Sequence, residues 1–350
     1  MMRISLLHAL IPWFFLGGLV SCIEEVDLKT QGGETKLVID GEITNQNAIY
    51  RIKLSRSADF SESQFGIVGP ETGASVAIIS NTNETAILTE VEPGVYETNF
   101  GEIVGTIGSS YYLEVTTNDG KTYQSCLEML QPVTPVDNLS YESVKEEEIS
   151  SAGNIVTKNF VKVFADTEIP NNPENVYFKW DMFGEYEFFE NIELLNARTC
   201  YIEENININN IAIFSGESLT GRQLRGQEIV KKEVDFQFGG MYCFHVYQKS
   251  LSREAYQYWK NTKSLIEISG SLFDEPPGQI RGNMFNINDP SEEVLGYFSA
   301  SAVDTSRLFI PGLTLEGAVR ICAESGELPP TCNDCLSIEN SSLQRPEYWP

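Results

Sequence analysis

Histidine is nearly missing from this chain: there are two among 350 residues, His8 and His245. A histidine-rich zinc or iron centre is thereby excluded, and any serine or cysteine hydrolysis with an imidazole base must run through one of these two. Basic residues are scarce as well, 24 Lys and Arg against 50 Asp and Glu, giving a formal charge of −26. Such a field repels phosphate backbones and anionic lipid surfaces, so nucleic-acid binding is excluded as a main role. Beyond the N-terminal segment no run approaches the roughly 20 apolar residues that a spanning helix requires. The chain also lacks a G-x-S-x-G elbow, an H-E-x-x-H helix, a Walker loop, a G-x-G-x-x-G turn and any internal repeat.

What is present begins with an export signal. Arg3 supplies a short positive region and Leu6 to Leu16 an apolar one, and Gly17, Gly18 and Ser21 lead to Cys22. Residues 1–21 are therefore expected to be removed, taking His8 with them and leaving His245 as the single imidazole. Leu19-Val20-Ser21-Cys22 resembles the lipobox of bacterial lipoproteins, in which the cysteine thiol carries a diacylglycerol and its freed amine a third chain. At roughly 0.8 kcal/mol per buried CH₂, one chain binds a membrane marginally and several bind it permanently. The cysteine count fits this fate. Seven cysteines are an odd number for an exported protein. Lipidation of Cys22 leaves six, namely Cys126, Cys200, Cys243, Cys322, Cys332 and Cys335, which an oxidising compartment can pair. Cys332-Asn-Asp-Cys335, with Cys322 nearby, reads as part of structural disulfides in a loop-rich tail, since no βαβ pattern surrounds it and a zinc site wants a fourth ligand. Cys200 and Cys243 are a candidate bridge between strands, and the connectivity as a whole stays open.

Residues 22–35 read as a flexible acidic tether with paired glycines. From Lys36 the texture becomes strand and turn. Ile49, Arg51, Lys53 and Ser55 alternate with Tyr50, Ile52 and Leu54, the period of a half-buried strand. Gly73, Pro93-Gly94 and Asp119-Gly120 punctuate further runs. Short strands without an intervening helix predict a β-sandwich over residues 36–131. The two prolines of QPVTPVDN (131–138) mark a junction, and residues 138–350 are expected to form a second β-rich domain with one or two short helices and a disulfide-containing tail. In it, YESVKEEEISSAGN reads as a solvated acidic loop and residues 201–233 as loops or short strands. Ser252 is a candidate N-cap for a helix presenting Ala255, Trp259, Thr262 and Ile266 on one face. His245 shares a strand face with Cys243 and Tyr247 and reads as a structural histidine. Of the oxygen-rich segments, TTNDG (116–120) does not match a calcium loop, and FNINDPSEE (285–293) has enough oxygens to stay a candidate. No cofactor or metal is otherwise indicated.

The segments LVSC, KLVIDGEIT, YRIKLSRS, GASVAI, GVYET, YYLEVTTNDGKTYQS, GNMFN, EEVLGYFSAS, TCNDC and PEYW follow in an order and spacing similar to a family of Bacteroidetes lipoproteins, domain of unknown function 4249. The likeness spans nearly all of the chain after the signal and lapses over residues 196–232. It implies an outer-membrane lipoprotein whose N-terminal part is a transthyretin-like or Ig-like β-sandwich, working beside a TonB-dependent outer-membrane transporter. In related lipoproteins, acids just after the lipidated cysteine resemble a surface-export signal. Glu24, Glu25 and Asp27 hold that place, which implies a protein facing the cell exterior. The family brings no catalytic residues. The function expected is non-enzymatic: binding of a small molecule or glycan as an accessory to nutrient uptake. A structural or adhesive envelope lipoprotein is the alternative, and a carboxylate-dependent glycoside hydrolase a more remote one.

Overall fold

The structure, a computed structural model, describes residues 35–57, 67–150, 153–170, 172–206, 211–219, 221–267, 280–323 and 328–350. The expected signal peptide, the expected tether up to residue 34, and with it Cys22, Glu24, Glu25 and Asp27, lie outside the described residues. The chain is mainly β, with a single α-helix among the described residues. That helix is not long and apolar enough to cross a membrane.

Nine strands come first: β1 (Leu37–Thr44), β2 (Arg51–Ser57), β3 (Ile67–Pro70), β4 (Ser75–Ser80), β5 (Thr85–Glu92), β6 (Val95–Glu97), β7 (Ser110–Thr116), β8 (Thr122–Ser125) and β9 (Glu128–Met129). The two-residue period seen in the sequence is the physical one. On β2 Ile52 and Leu54 are buried while Arg51 and Lys53 face solvent. Asp119-Gly120 turns β7 into β8, with Gly120 at φ 83° as such turns demand. Strand β5 pairs with β4 on one side and β6 on the other, and so joins two layers. Their inner faces meet in one core, where Ile39, Ile52 and Leu54 pack with Val76, Ile78, Leu113, Val115 and Tyr123. Each such side chain contributes roughly 1.5–3 kcal/mol by leaving water.

Seven strands follow before the helix and break: β10 (Val136–Ile149), β11 (Ile155–Glu168), β12 (Tyr177–Phe189), β13 (Thr199–Asn205), β14 (Ala212–Ser215), β15 (Gln223–Glu233) and β16 (Tyr242–Ser250). Then come α1 (Arg253–Glu267), β17 (Met284–Asn286), β18 (Leu295–Ser301), β19 (Val303–Ile310) and the short β20 (Ser341–Ser342). A three-stranded sheet in the order β10-β11-β15 packs against a sheet in the order β19-β16-β12-β13-β20, to which β14 adds at β12. Val161, Val163 and Ala165 of the first meet Trp180, Tyr186, Phe188, Tyr242 and Phe244 of the second in a second core.

Three sequence expectations are corrected here. The acidic stretch read as a loop is most of β10, a 14-residue strand. Its partners supply the missing counter-charges: Glu146 pairs with Lys162 and Lys231, and Glu148 with Lys158. Residues 223–233 form a full strand, whose period is blurred by two register shifts against β11. Finally, the first sheet is not confined to residues 36–131. Strand β17 pairs with β8, and β18 runs parallel to β1 from Leu295 beside Val38 to Ser301 beside Thr44. Gly296 permits this contact, because a Cβ there would stand 1.8 Å from the Ile39 carbonyl oxygen.

The cysteines pair as Cys200–Cys335 and Cys322–Cys332, leaving Cys126 exposed and Cys243 buried as free thiols. The C-x-x-C cysteines thus belong to two different bridges. The expected Cys200–Cys243 bridge does not form. Strand β12 lies between their strands, with Cys200 opposite Phe188 and Cys243 opposite Glu185, three residues apart and on opposite faces. Two strand spacings of about 4.8 Å already exceed the reach of a disulfide.

Candidate functional site

A cleft lies where the first sheet meets the helix. It encloses about 630 Å³ and is lined from three directions: by Cys126 to Met129, by the first turns of α1, and by Arg281 to Asn283 with Tyr297. The sequence QSCLEML explains the first wall. Glu128 and Leu130 point inward, while Leu127 and Met129 stay 61% and 47% exposed. An acid therefore occupies a position that alternation reserves for an apolar side chain.

Glu128, only 4% exposed, forms the floor. Tyr297 Oη donates to its Oε1 at 2.5 Å, Asn283 Nδ2 to the same oxygen at 3.2 Å, and Ser252 Oγ to its Oε2 at 2.8 Å. Ser252 is also the N-cap anticipated from the sequence, its Oγ accepting from the Ala255 N–H at 3.0 Å. One carboxyl group therefore locks β9, the start of α1, and the segments around Asn283 and Tyr297 together. Asn283 is itself pinned to the Phe298 backbone, donating to its carbonyl at 2.8 Å and accepting from its N–H at 3.0 Å. Burial raises the Glu128 pKa above the usual carboxylate range, and the three donors only partly offset this. Burial and the nearby Glu128 also raise the Cys126 pKa, so this exposed thiol is a sluggish nucleophile near neutral pH.

Behind the helix a second, charged cleft of about 240 Å³ runs between the two cores. Lys249 bridges Glu42 at 2.5 Å and Asp181 at 2.7 Å, and Lys179 pairs with Asp181 while lying 4.2 Å from the centre of the Trp259 ring. Burial works against Asp181 ionising, yet the two lysines hold its pKa well below the usual range. These charges are matched to each other and fasten the helix face to both halves.

His245 occupies a buried cluster on the outer face of the second sheet. Arg307 Nε, which can only donate, is 3.3 Å from His245 Nδ1, so Nδ1 accepts and Nε2 carries the proton. Nε2 in turn faces Glu185 Oε2 at 3.2 Å, and Tyr348 Oη donates to that same oxygen at 2.5 Å. Phe183 stacks on the ring at 4.1 Å. Both ring nitrogens are committed, so the imidazole has no free position for taking a substrate proton. Its neighbour Cys243 has its pKa pushed up to about 12 by burial and by Glu185. The calcium candidate at 285–293 spends its oxygens internally. Asn286 and Asp289 cap backbone N–H groups, and Glu292 takes Lys121 at 3.1 Å and the Tyr123 hydroxyl at 2.9 Å. Among the described residues no cluster of three or more metal-ligating side chains forms.

Sequence reasoning did not find the Glu128 cleft. The available signal was the inward-facing acid in SCLEML, together with the fact that GNMFN and EEVLGYFSAS supply Asn283 and Tyr297. With this geometry in place the family can be stated. Residues 23–307 match the family described as domain of unknown function (DUF4249), and the chain belongs to it. The tail from residue 308, with TCNDC and PEYW, lies beyond the matched span. No curated protein matches the chain.

Proposed function

We propose that this protein is a cell-surface lipoprotein, fastened to the outer membrane through acylated Cys22 and directed outward by Glu24, Glu25 and Asp27. In this reading it serves a TonB-dependent nutrient-uptake system as a non-enzymatic binding component. The observation that carries it is a cleft of about 630 Å³ with a hydrogen-bonded floor, in a chain whose first 22 residues resemble an export signal ending in a lipobox. Loops and a helix end held by two β cores suit recognition, because the scaffold fixes their positions before a ligand arrives. Cross-linking in native membranes followed by pull-down is expected to recover a TonB-dependent transporter. Recovery of none, under conditions that preserve other such pairs, defeats the accessory role. For the anchor, Cys22→Ala is expected to shift the protein from the membrane fraction to the soluble fraction.

A second reading, a carboxylate-dependent glycoside hydrolase, has one observation in its favour: Glu128 and Glu254 line the same cleft beside Tyr258. Against it, Glu128 is already held by Tyr297, Ser252 and Asn283. Turnover of chromogenic glycosides that disappears in both Glu128→Gln and Glu254→Gln would favour the hydrolase over the binding reading.

A further inference from the structure

The polar groups of the junction cleft fall into two sets. Most are committed internally: Glu128 to its three donors, Gln257 to Asn261 at 2.8 Å, and Arg253 to Glu217 at 2.9 Å. Arg281 and Glu254 differ. Both line the cleft, and the side chain of neither makes a hydrogen bond or ion pair with any described residue. They do not pair with one another. Beside these two opposite charges stand exposed apolar side chains, Leu127 and Met129, and the ring of Tyr258, which packs on Tyr297 with centroids 4.9 Å apart.

That combination selects for a particular ligand chemistry. A neutral sugar offers each charged group hydroxyl hydrogen bonds but no counter-charge, so the cost of desolvating both is only partly offset. A simple anion would meet Arg281 but also the repulsion of Glu254, and a simple cation the reverse. A molecule carrying both an ammonium and a carboxylate satisfies both, and an apolar side chain covers the Leu127–Met129 wall. We propose that the cleft binds a zwitterion of the amino-acid or short-peptide type with apolar side chains, its carboxylate at Arg281 and its ammonium at Glu254. This rests on the binding reading above and names its ligand. The locked floor matters to it: Glu128 fixes the start of α1, and with it Glu254, against the Arg281–Asn283 segment.

The test uses the full chain, purified in detergent, titrated calorimetrically with leucine, Leu-Leu, N-acetyl-Leu-Leu, Leu-Leu amide and maltotriose. Leu-Leu or leucine is expected to bind, and the stronger of the two identifies the source as peptide or free amino acid. Blocking either terminus is expected to weaken binding about tenfold, the scale of one lost charge contact. Glu254→Gln should erase the penalty for N-acetylation alone, and Arg281→Gln the penalty for amidation alone, with melting temperatures unchanged. Bound ligand should also slow alkylation of Cys126, which places it in this cleft. Equal affinity for free and blocked peptides, binding of maltotriose only, or no binding of either zwitterion overturns the proposal. The transporter pull-down should be unaffected by either variant, so its failure and the failure of this ligand assignment read out separately.

Discussion

Glu190 is 2% exposed, and Arg198 closes on it with Nη2 at 2.5 Å and Nε at 3.0 Å while the Arg198 and Cys335 backbone N–H groups each donate at 2.9 Å. The Arg198 side chain, helped by those N–H groups and opposed by burial, brings its pKa from 4.5 down to about 2. A carboxyl group depressed on folding stabilises the protein above its unfolded value and loses that contribution as pH falls through the folded one. The advantage of wild type over Glu190→Gln in melting temperature is therefore expected to be full above pH 4.5 and to shrink as pH falls toward 2. Glu128 carries the opposite sign. Its pKa is raised from 4.5, so its contribution is whole below pH 4.5 and is lost as pH rises through the folded value. Glu128→Gln should consequently gain on wild type as pH increases. Melting curves across pH for the three proteins check both slopes, and parallel curves would mean that neither carboxyl is coupled to folding as its contacts imply.

Among the described residues the C-terminal tail has short β20 as its only strand, and it is held by covalent and aromatic contacts. Cys200–Cys335 ties it to β13 across a sequence separation of 135, whereas Cys322–Cys332 spans 10. In the chain-entropy account the longer loop confers about 5 kcal/mol and the shorter about 2.7 kcal/mol, with measured bridges commonly worth 2–5 kcal/mol. Removing both Cys200 and Cys335 as alanines is thus expected to cost more in denaturant midpoint than the equivalent change at Cys322 and Cys332. The free thiols give an independent check on the pairing. In the native protein N-ethylmaleimide should modify exposed Cys126 and spare Cys243, and denaturation without reductant should reveal Cys243 as the second site. Mass spectrometry showing Cys126 or Cys243 in a disulfide would refute the connectivity. The spacing of Cys332 and Cys335 marked a covalently bound tail correctly. It carried no information about partners, because those depend on which face of β12 each neighbouring strand presents. Trp349 completes the attachment, its ring meeting Tyr201 and Phe309 and its Nε1 donating to Glu187 at 2.9 Å.

Strand period was legible because it is a local property: Ile52 and Leu54 on β2, with Tyr50 just before it, went to the first core as their spacing demanded. The same locality explains what was missed. The Glu128 cleft is assembled from residues near 128, 252, 283 and 297, none of which announces the others. The first core likewise recruits Met284, Val294, Phe298, Ala300 and Ala302, all synthesised after the second core's strands through β16. Parallel pairing of β1 with β18 requires a long crossover, and here the crossover includes most of the second domain. The apparent domain of residues 36–131 is therefore incomplete when isolated. It would present the full edge of β1, with Ile39 and Ile43 losing their cover from Phe298 and Ala300, and an exposed apolar strand edge recruits other chains. A fragment spanning 36–131 is expected to aggregate or remain without a cooperative unfolding transition. A fragment from residue 36 to residue 350, which keeps β17 and β18 together with β19 and the tail bridged by Cys200–Cys335, should be monomeric and fold. Sedimentation and thermal melts decide between these outcomes. A monomeric 36–131 fragment with a sharp transition would show that β17 and β18 are additions to a self-sufficient sandwich, and would detach the Glu128 cleft from the stability of the first core.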